Sequence, residues 1–110
     1  MSRLIRTVAT GTANAITAAS SPDIDGVQQL VMVTAKYSAA PTQAGVTVTL
    51  NSGAGAGYDT LLTTGTANAQ NTVYIPAAPV FIAEDDVIDV SAPAGGGVIT
   101  SSVAIYTRPA

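Results

Sequence analysis

The residues whose chemistry comes nearest to catalysis are three consecutive carboxylates, Glu84, Asp85 and Asp86. General acid–base catalysis by carboxylates needs two of them in different environments, so that one retains its proton at neutral pH. These three are predicted to crowd one hairpin turn, where solvent keeps them all ionised. The chain has no histidine and no cysteine, and no lysine lies beside them in sequence. The sequence therefore favours an acidic turn and predicts a protein that is not an enzyme.

Two further patterns have the outline of a ligand site. Asp23 and Asp25 precede Gly26 as at the start of a calcium-binding loop, but the other oxygen ligands and the distal glutamate are missing. The GAGAG run at residues 53–57 is similar to a nucleotide-binding turn, yet that turn must open a helix, and a strand at 58–62 is predicted instead. The lack of cysteine excludes disulfides and thiolate metal sites. We therefore expect no metal site and no cofactor.

Basic residues are few. The net charge is −3, and Arg3, Arg6, Lys36 and Arg108 carry all the positive charge of the side chains. Nucleic-acid binding depends on clustered lysine and arginine, so a nucleic-acid partner is not expected. Arg3 and Arg6 could belong to an arm that contacts an acidic neighbour, or to an edge strand that is protected by its charges. These two arginines are the candidate partner-binding residues.

The N-terminal region lacks the pattern of an export signal. No long apolar run follows the two arginines, because residues 7–20 are mostly Thr, Ala and Asn. Such a segment is neither a signal peptide nor a membrane span. We expect a protein that is made in the cytoplasm, is not exported by a leader, and has no membrane partner.

The elements that must position all these residues are short strands, separated by turns rich in Gly, Pro, Ser and Asn. Apolar and polar residues alternate with a period of two in most of them, and no window has helical periodicity with caps. The predicted strands are 4–8, 15–17, 28–38, 46–50, 58–62, 72–75, 80–83, 87–91 and 98–106. Eight or nine strands predict an all-β fold, an antiparallel, jelly-roll-like β-sandwich. Residues 1–110 are expected to form one domain, with 1–19 as an N-terminal arm or edge strand.

Some strands carry specific expectations for packing. The alternation at 46–50 predicts that Val46, Val48 and Leu50 point inward. Ile88 and Val90 are the predicted core residues of the strand after the acidic turn. The strand at 28–38 is apolar on both faces near its centre, which predicts that it is covered on both sides.

The composition predicts self-association. Charged residues make up 10% of the chain, against roughly 25% in an average soluble domain. Threonine, serine, asparagine and glutamine supply most of the polarity instead. A surface with so few charges favours association, and an oligomer buries part of that surface between subunits. We expect an oligomer rather than a monomer with an uncharged polar coat.

Three stretches together resemble a known group of proteins. They are VTVTLNSGAGAGYDTLL at 46–62, VYIPAAPVFIAEDDVIDV at 73–90 and VAIYTR at 103–108. These runs are similar to small β-sandwich proteins of tailed bacteriophages, the capsid decoration (cement) proteins, although Asp85 stands where the pattern often has glycine. The resemblance implies a virion structural protein at the capsid surface, a homotrimer that binds the major capsid protein.

Two function classes follow from these observations. The first is a capsid decoration protein that stabilises the shell by binding the major capsid protein. The second is a tail-fibre or receptor-binding head that recognises a cell-surface ligand. A glycan site would need aromatic platforms, for which Tyr58, Tyr74 and Tyr106 are the candidates, although filling of the core or of an interface suits them as well.

Overall fold

The computed structural model describes residues 4–20, 26–41, 45–96 and 98–110. Within these ranges the chain forms nine β-strands and one short 3₁₀ turn at Ala56–Tyr58. The strands are β1 (Ile5–Thr12), β2 (Ile16–Ala19), β3 (Gln28–Tyr37), β4 (Thr47–Asn51), β5 (Thr60–Thr64), β6 (Asn71–Tyr74), β7 (Phe81–Ile82), β8 (Val87–Ala92) and β9 (Thr100–Pro109). Among the described residues no helix has the length and apolar character needed to cross a membrane. The predicted all-β fold of eight or nine strands is confirmed.

The strands form two antiparallel sheets. Sheet A has the order β1-β9-β3-β6, and β7 also pairs with β3, while sheet B has the order β2-β8-β4-β5. The pairs β1/β9, β2/β8, β3/β6 and β4/β5 are nested, as in one long hairpin that has been folded over. Successive pairs of this nest alternate between the two sheets, which is the jelly-roll arrangement. The predicted jelly-roll-like sandwich is therefore confirmed.

The core fills the space between the sheets. Ile88 and Val90 of β8 are completely buried, as predicted. Val46 and Val48 are buried and Leu50 packs against them, which confirms the inward face predicted for β4. The buried apolar residues are Ala18, Leu30, Val33, Ala35, Tyr37, Val46, Val48, Ile82, Ile88, Val90, Ala92, Val103 and Ile105.

Strand β3 corrects one prediction. Its pairing with β9 shifts between Leu30 and Met32, so Val31 is the extra residue of a β-bulge. The bulge interrupts the alternation, and Leu30 and Val33, three residues apart, both point into the core. Val31 and Met32 lie on the other face and are only half-buried. Within the described part of the chain, the prediction that β3 is covered on both sides is therefore wrong, and the bulge explains why apolar residues occupy both sets of alternating positions.

The acidic turn corrects a second prediction. Strand β7 pairs with β3 in sheet A, whereas β8 pairs with β2 and β4 in sheet B. Residues 83–86 therefore carry the chain from one sheet to the other, and the predicted hairpin turn is wrong. The physical reason is burial, because Ile82 before the turn and Ile88 after it both reach the core, from opposite sheets.

The N-terminal strands occupy the sheet edges. β1 pairs with β9 from Ile5 to Thr12, and β2 pairs with β8 from Ile16 to Ala19. Each of these strands has a neighbour in its own sheet on one side only. The side chains of β1 alternate between half-buried and exposed, as expected for an edge strand that packs one face on the core.

Candidate interaction surface

The outer face of sheet A consists of the side chains of its strands that point away from the core. Strand register fixes its members, because residues paired across neighbouring strands lie on the same side of the sheet. Two cross-strand rows run through its centre, Arg6–Tyr106–Met32 and Val8–Ala104–Thr34–Val73. Apolar residues therefore occupy much of a face that the described part of the chain leaves uncovered.

Exposed apolar side chains concentrate on this face. Of the nine large apolar residues that are exposed in the described part of the chain, five belong to the outer face of sheet A or to its margins. They are Leu4 (58% exposed), Val8 (54%), Val73 (60%), Ile75 (66%) and Phe81 (57%). Such a concentration of exposed apolar side chains on one face of a sheet indicates an interaction surface.

The size of the face suits a protein partner. Its longest strands have ten residues. The strands of sheet A contribute 8, 10, 10, 4 and 2 residues, which at roughly 3.3 Å per residue and about 4.8 Å between strands give a plan area on the order of 500 Å². Each partner contributes roughly 800 Å² to a protein–protein interface of standard size. The outer face of sheet A is therefore large enough to supply much of one partner's share of such an interface.

All the basic residues in the described part of the chain lie on this same face. Arg6 is on β1, Lys36 on β3 and Arg108 on β9, and each is exposed. The Nε and Nη2 atoms of Arg108 donate hydrogen bonds to Oε1 of Gln29 at 3.3 Å and 3.2 Å. The described strand residues that form the face include no aspartate or glutamate. The face is therefore both apolar and positively charged.

A shallow cavity lies at one end of the face. Its volume is about 220 Å³, and segment 76–79 forms one wall while Gln29, Val31 and Arg108 form the other. Segment 76–79 begins and ends with proline, which has no N–H to donate to a sheet, so the chain leaves sheet A between β6 and β7. The cavity thus combines apolar walls with a guanidinium group.

The acidic residues gather elsewhere, at the end of the sandwich formed by two adjoining loops. We call Tyr58, Asp59, Glu84, Asp85 and Asp86 the acidic tip. Tyr58 is 71% exposed, and Asp59, Glu84 and Asp85 are exposed as well. The tip therefore presents one aromatic ring beside several carboxylates.

Two hydrogen bonds from the backbone shape the tip, one that joins its two loops and one that closes the loop between β4 and β5. The N–H of Gly53 donates to Oδ1 of Asp86 at 2.7 Å, and the N–H of Ser52 donates to Oδ1 of Asp59 at 2.8 Å. A Cβ atom on Gly53 would lie 2.8 Å from the carbonyl oxygen of Asp85, so this close approach requires glycine. The carboxylates of Asp59 and Asp86 thus shape the loops.

The GAGAG run has the same structural role. Its last two residues belong to the 3₁₀ turn Ala56–Tyr58, and β5 comes next, where a dinucleotide-binding turn would open a long helix. No group of three or more residues that could hold a metal ion occurs among the described residues. Asp23 and Asp25, the start of the suspected calcium loop, lie outside the described residues.

Only one of the two candidate partner-binding residues can be placed. Arg3 lies outside the described residues. Arg6 is exposed on edge strand β1, opposite Tyr106 of β9, and its side chain belongs to the outer face of sheet A. Arg6 is therefore part of a larger surface that the sequence did not indicate.

The three tyrosines proposed for a glycan site do not lie together. Tyr58 is at the acidic tip and Tyr106 is on the outer face of sheet A. Tyr74, opposite Val33, packs against the core on the inner side of the same sheet. The three tyrosines therefore cannot line one shared site, because alternation along β6 and β9 directs Tyr74 and Tyr106 to opposite sides, and for Tyr74 the alternative, filling of the core, is confirmed.

Sequence reasoning missed the outer face of sheet A because its apolar residues look like core residues. Val73, Ile75 and Phe81 belong to the most apolar part of the chain. One signal could have revealed the surface. Val73 and Tyr74 are neighbours in one short strand, so their side chains point to opposite sides of the sheet. Apolar residues on both sides indicate that each side is buried against a different neighbour.

Comparisons with known proteins were made on both sequence and fold. No protein-family model matches the chain. A search of curated protein sequences also finds no match. Among solved structures, the chain is similar to a chain of the acidic stable capsid structure of Helicobacter pylori bacteriophage KHP30, with a TM-score of 0.52 and 12% identity over 98% of this chain and 93% of that chain. At this level of identity the similarity shows a shared fold over nearly the whole of both chains.

A second solved structure, that of infectious bursal disease virus Gx strain, aligns less well. The TM-score is 0.46 with 13% identity, over 98% of this chain and 31% of that chain. The present chain thus spans about a third of that one.

Proposed function

We propose that this chain is a non-enzymatic structural protein of a virion, a capsid decoration (cement) protein that binds the major capsid protein at the capsid surface as a homotrimer. The observation that carries the proposal is the jelly-roll fold, which is similar over almost its full length to a chain of a bacteriophage capsid structure. The apolar and basic outer face of sheet A supports a role in assembly rather than in catalysis.

The mechanism is mechanical. A decoration protein stabilises a shell by bridging neighbouring capsid subunits, so that more apolar surface is buried when the shell is intact. Burial of roughly 400 Å² of apolar surface per contact would contribute on the order of 10 kcal/mol before the entropic cost of association is subtracted. Arg3 and Arg6, at the start of the chain and on edge strand β1, are the proposed contacts to acidic groups of the shell.

The test uses substitutions, because removal of the first ten residues would also remove most of β1 from sheet A. The variant Arg3→Glu/Arg6→Glu is mixed with capsids that lack the decoration protein, and co-sedimentation is measured. We expect binding at least tenfold weaker than that of the wild type, because two attractive charge contacts become repulsive. The matched control is Thr17→Glu on β2, the exposed edge strand of sheet B, which should bind as the wild type does. Undiminished co-sedimentation of the double arginine variant would contradict the proposal.

The alternative function is a tail-fibre or receptor-binding head. Its support is the most exposed aromatic side chain among the described residues, that of Tyr58. Adsorption of the purified chain to host cells, abolished by Tyr58→Ala and unaffected by the arginine variant, would favour this alternative over the decoration protein.

A further inference from the structure

We propose that the outer face of sheet A is a docking surface for a second copy of this chain, and that it receives the acidic tip of that copy in a head-to-tail contact. This inference goes beyond the proposed function. It does not depend on that function either, because the purified chain would associate in the absence of any shell.

The cavity on the outer face of sheet A has the properties of a receptor for an acidic loop. Two N–H groups of Arg108 are used by Gln29, which fixes the orientation of the guanidinium at the cavity wall. A guanidinium has five N–H groups, so donors remain for a carboxylate. Phe81, which pairs with Gln29 and is 57% exposed, adds an aromatic ring to the same part of the face. Arginine and aromatic residues are the types enriched at the centres of protein interfaces.

Charge disfavours the symmetric dimers, in which two copies meet through the same surface. Two copies that meet through their outer faces would bring together Arg6, Lys36 and Arg108 from each copy, with no carboxylate from the described strand residues between them. Two copies that meet through their acidic tips would oppose several carboxylates in the same way. Juxtaposed like charges strongly disfavour an interface. Contact of face with tip is the arrangement that pairs opposite charges.

The acidic tip has the complementary composition. Glu84 and Asp85 are exposed, and no hydrogen bond within the described residues engages their carboxylates. Tyr58, which is 71% exposed, precedes Asp59 in the adjoining loop of the tip. A loop of this kind can place a carboxylate against Arg108 while the tyrosine ring packs on the apolar residues of the face.

A face-to-tip contact is heterologous, which means that it uses two different surfaces of the same chain. Such contacts form closed rings when the rotation between copies closes, and open filaments when it does not. In a closed ring of three copies, each outer face of sheet A would contact the acidic tip of a neighbouring copy. The contact would thus supply a structural basis for the expected homotrimer.

A charge-swap experiment tests the contact in purified protein. The face variant is Arg108→Glu, the tip variant is Glu84→Lys/Asp85→Lys, and the third protein carries all three substitutions. Molecular mass is measured by sedimentation equilibrium at low and high salt, against the chain mass of 10.9 kDa. The control, Thr17→Glu/Thr64→Glu, places two charges on exposed positions of sheet B. Circular dichroism checks that every variant keeps the β-sheet spectrum.

We expect the wild type and the control to form oligomers whose mass falls as salt is raised, because salt screens exposed charges. The face variant and the tip variant should each be monomeric, and the triple variant should regain the oligomer. A monomeric wild type would overturn the proposal. So would an oligomer that survives either variant, or a triple variant that remains monomeric. A wild type that self-associates but does not bind shells would count against the proposed function alone.

Disulfide cross-linking gives a second measurement that does not depend on charge. The chain has no cysteine, so introduced cysteines report only on their own positions. Ala77→Cys places a thiol at the cavity wall, and Glu84→Cys places one at the acidic tip. On mixing and oxidation, we expect disulfides between the two variants to exceed those within either variant at least tenfold. Equal yields of all three dimers would overturn the head-to-tail contact.

Discussion

At Gly45 the chain passes so close to Gly65 that a side chain has no room. A Cβ atom built on Gly45 would overlap the carbonyl oxygen of Gly65. Next to this approach, the N–H of Gly65 donates a hydrogen bond of 2.7 Å to the carbonyl of Val46. The two glycines thus close the end of the β4/β5 pair, and the reason is steric rather than conformational.

The first prediction at the residue scale follows from this close approach. Gly45→Ala should lower the free energy of unfolding by about 3 kcal/mol or more, because backbone must move to relieve the overlap. The control is Gly57→Ala, where an added Cβ has no heavy atom within 4 Å and the loss should be below about 1 kcal/mol. Urea unfolding of both variants measures the difference, and equal losses would show that the backbone at Gly45 adapts easily.

At the scale of the element, β3 shows how one extra residue determines which side chains of a strand point into the core. Val31 is the bulge, and without it Leu30 and Val33 could not both point into the core. The bulge also changes what lies outside, because Val31 lines the cavity on the outer face of sheet A. Packing inside the sandwich and the shape of its outer surface therefore depend on the same irregularity.

Deletions within β3 test this interpretation. Deletion of Val31 leaves Leu30 and Met32 opposite their present partners in β9, so the fold should survive with a modest loss of stability. Deletion of Thr34, whose side chain points outward, reverses the orientation of half the strand and would turn Lys36 toward the core. We expect the second deletion to cost at least about 3 kcal/mol more than the first, from lost apolar burial and a buried charge. Similar thermal midpoints for the two deletions would contradict the role assigned to the bulge.

At the scale of the whole molecule, charge is separated in space. The three basic side chains of the described residues are on the outer face of sheet A. The five described carboxylates are on sheet B or in loops that lead into it, and they belong to Asp59, Glu84, Asp85, Asp86 and Asp89. Such a distribution favours ordered head-to-tail assembly over random aggregation, because opposite charges meet when the outer face of sheet A in one copy contacts the acidic tip of another.

Assembly should also be visible in thermal stability. If folded copies associate and unfolded chains do not, the thermal midpoint rises with protein concentration. For a chain of this size we expect about 3 to 6 °C for each tenfold increase in concentration. The Arg108→Glu variant should show no such dependence, whereas Thr17→Glu/Thr64→Glu should behave as the wild type. Differential scanning calorimetry over two decades of concentration measures this, and a midpoint independent of concentration in the wild type would contradict assembly under these conditions.

The sequence by itself determined the features that depend on neighbouring residues. Period-two alternation and turn chemistry located the strands, and they identified Ile88, Val90 and the inward side of β4 as core. These features depend only on nearby residues, because successive side chains along a strand point to opposite faces of the sheet. The absence of cysteine likewise excluded disulfides and thiolate metal sites, and the absence of histidine argued against acid–base catalysis, without any knowledge of the fold.

Only the tertiary structure decided which faces of the strands are covered. Val73 and Phe81 are as apolar as Ile82, yet they are exposed while Ile82 is buried. The difference arises from strands that are distant in sequence, since β3 connects β6, β7 and β9 into one sheet whose second side is not covered by any of the described residues. The acidic residues show the same dependence, because their loops meet through pairing with the rest of sheet B rather than through adjacency. Alternation sets the two sides of each strand, but long-range pairing decides which side becomes core and which becomes the surface proposed here for assembly.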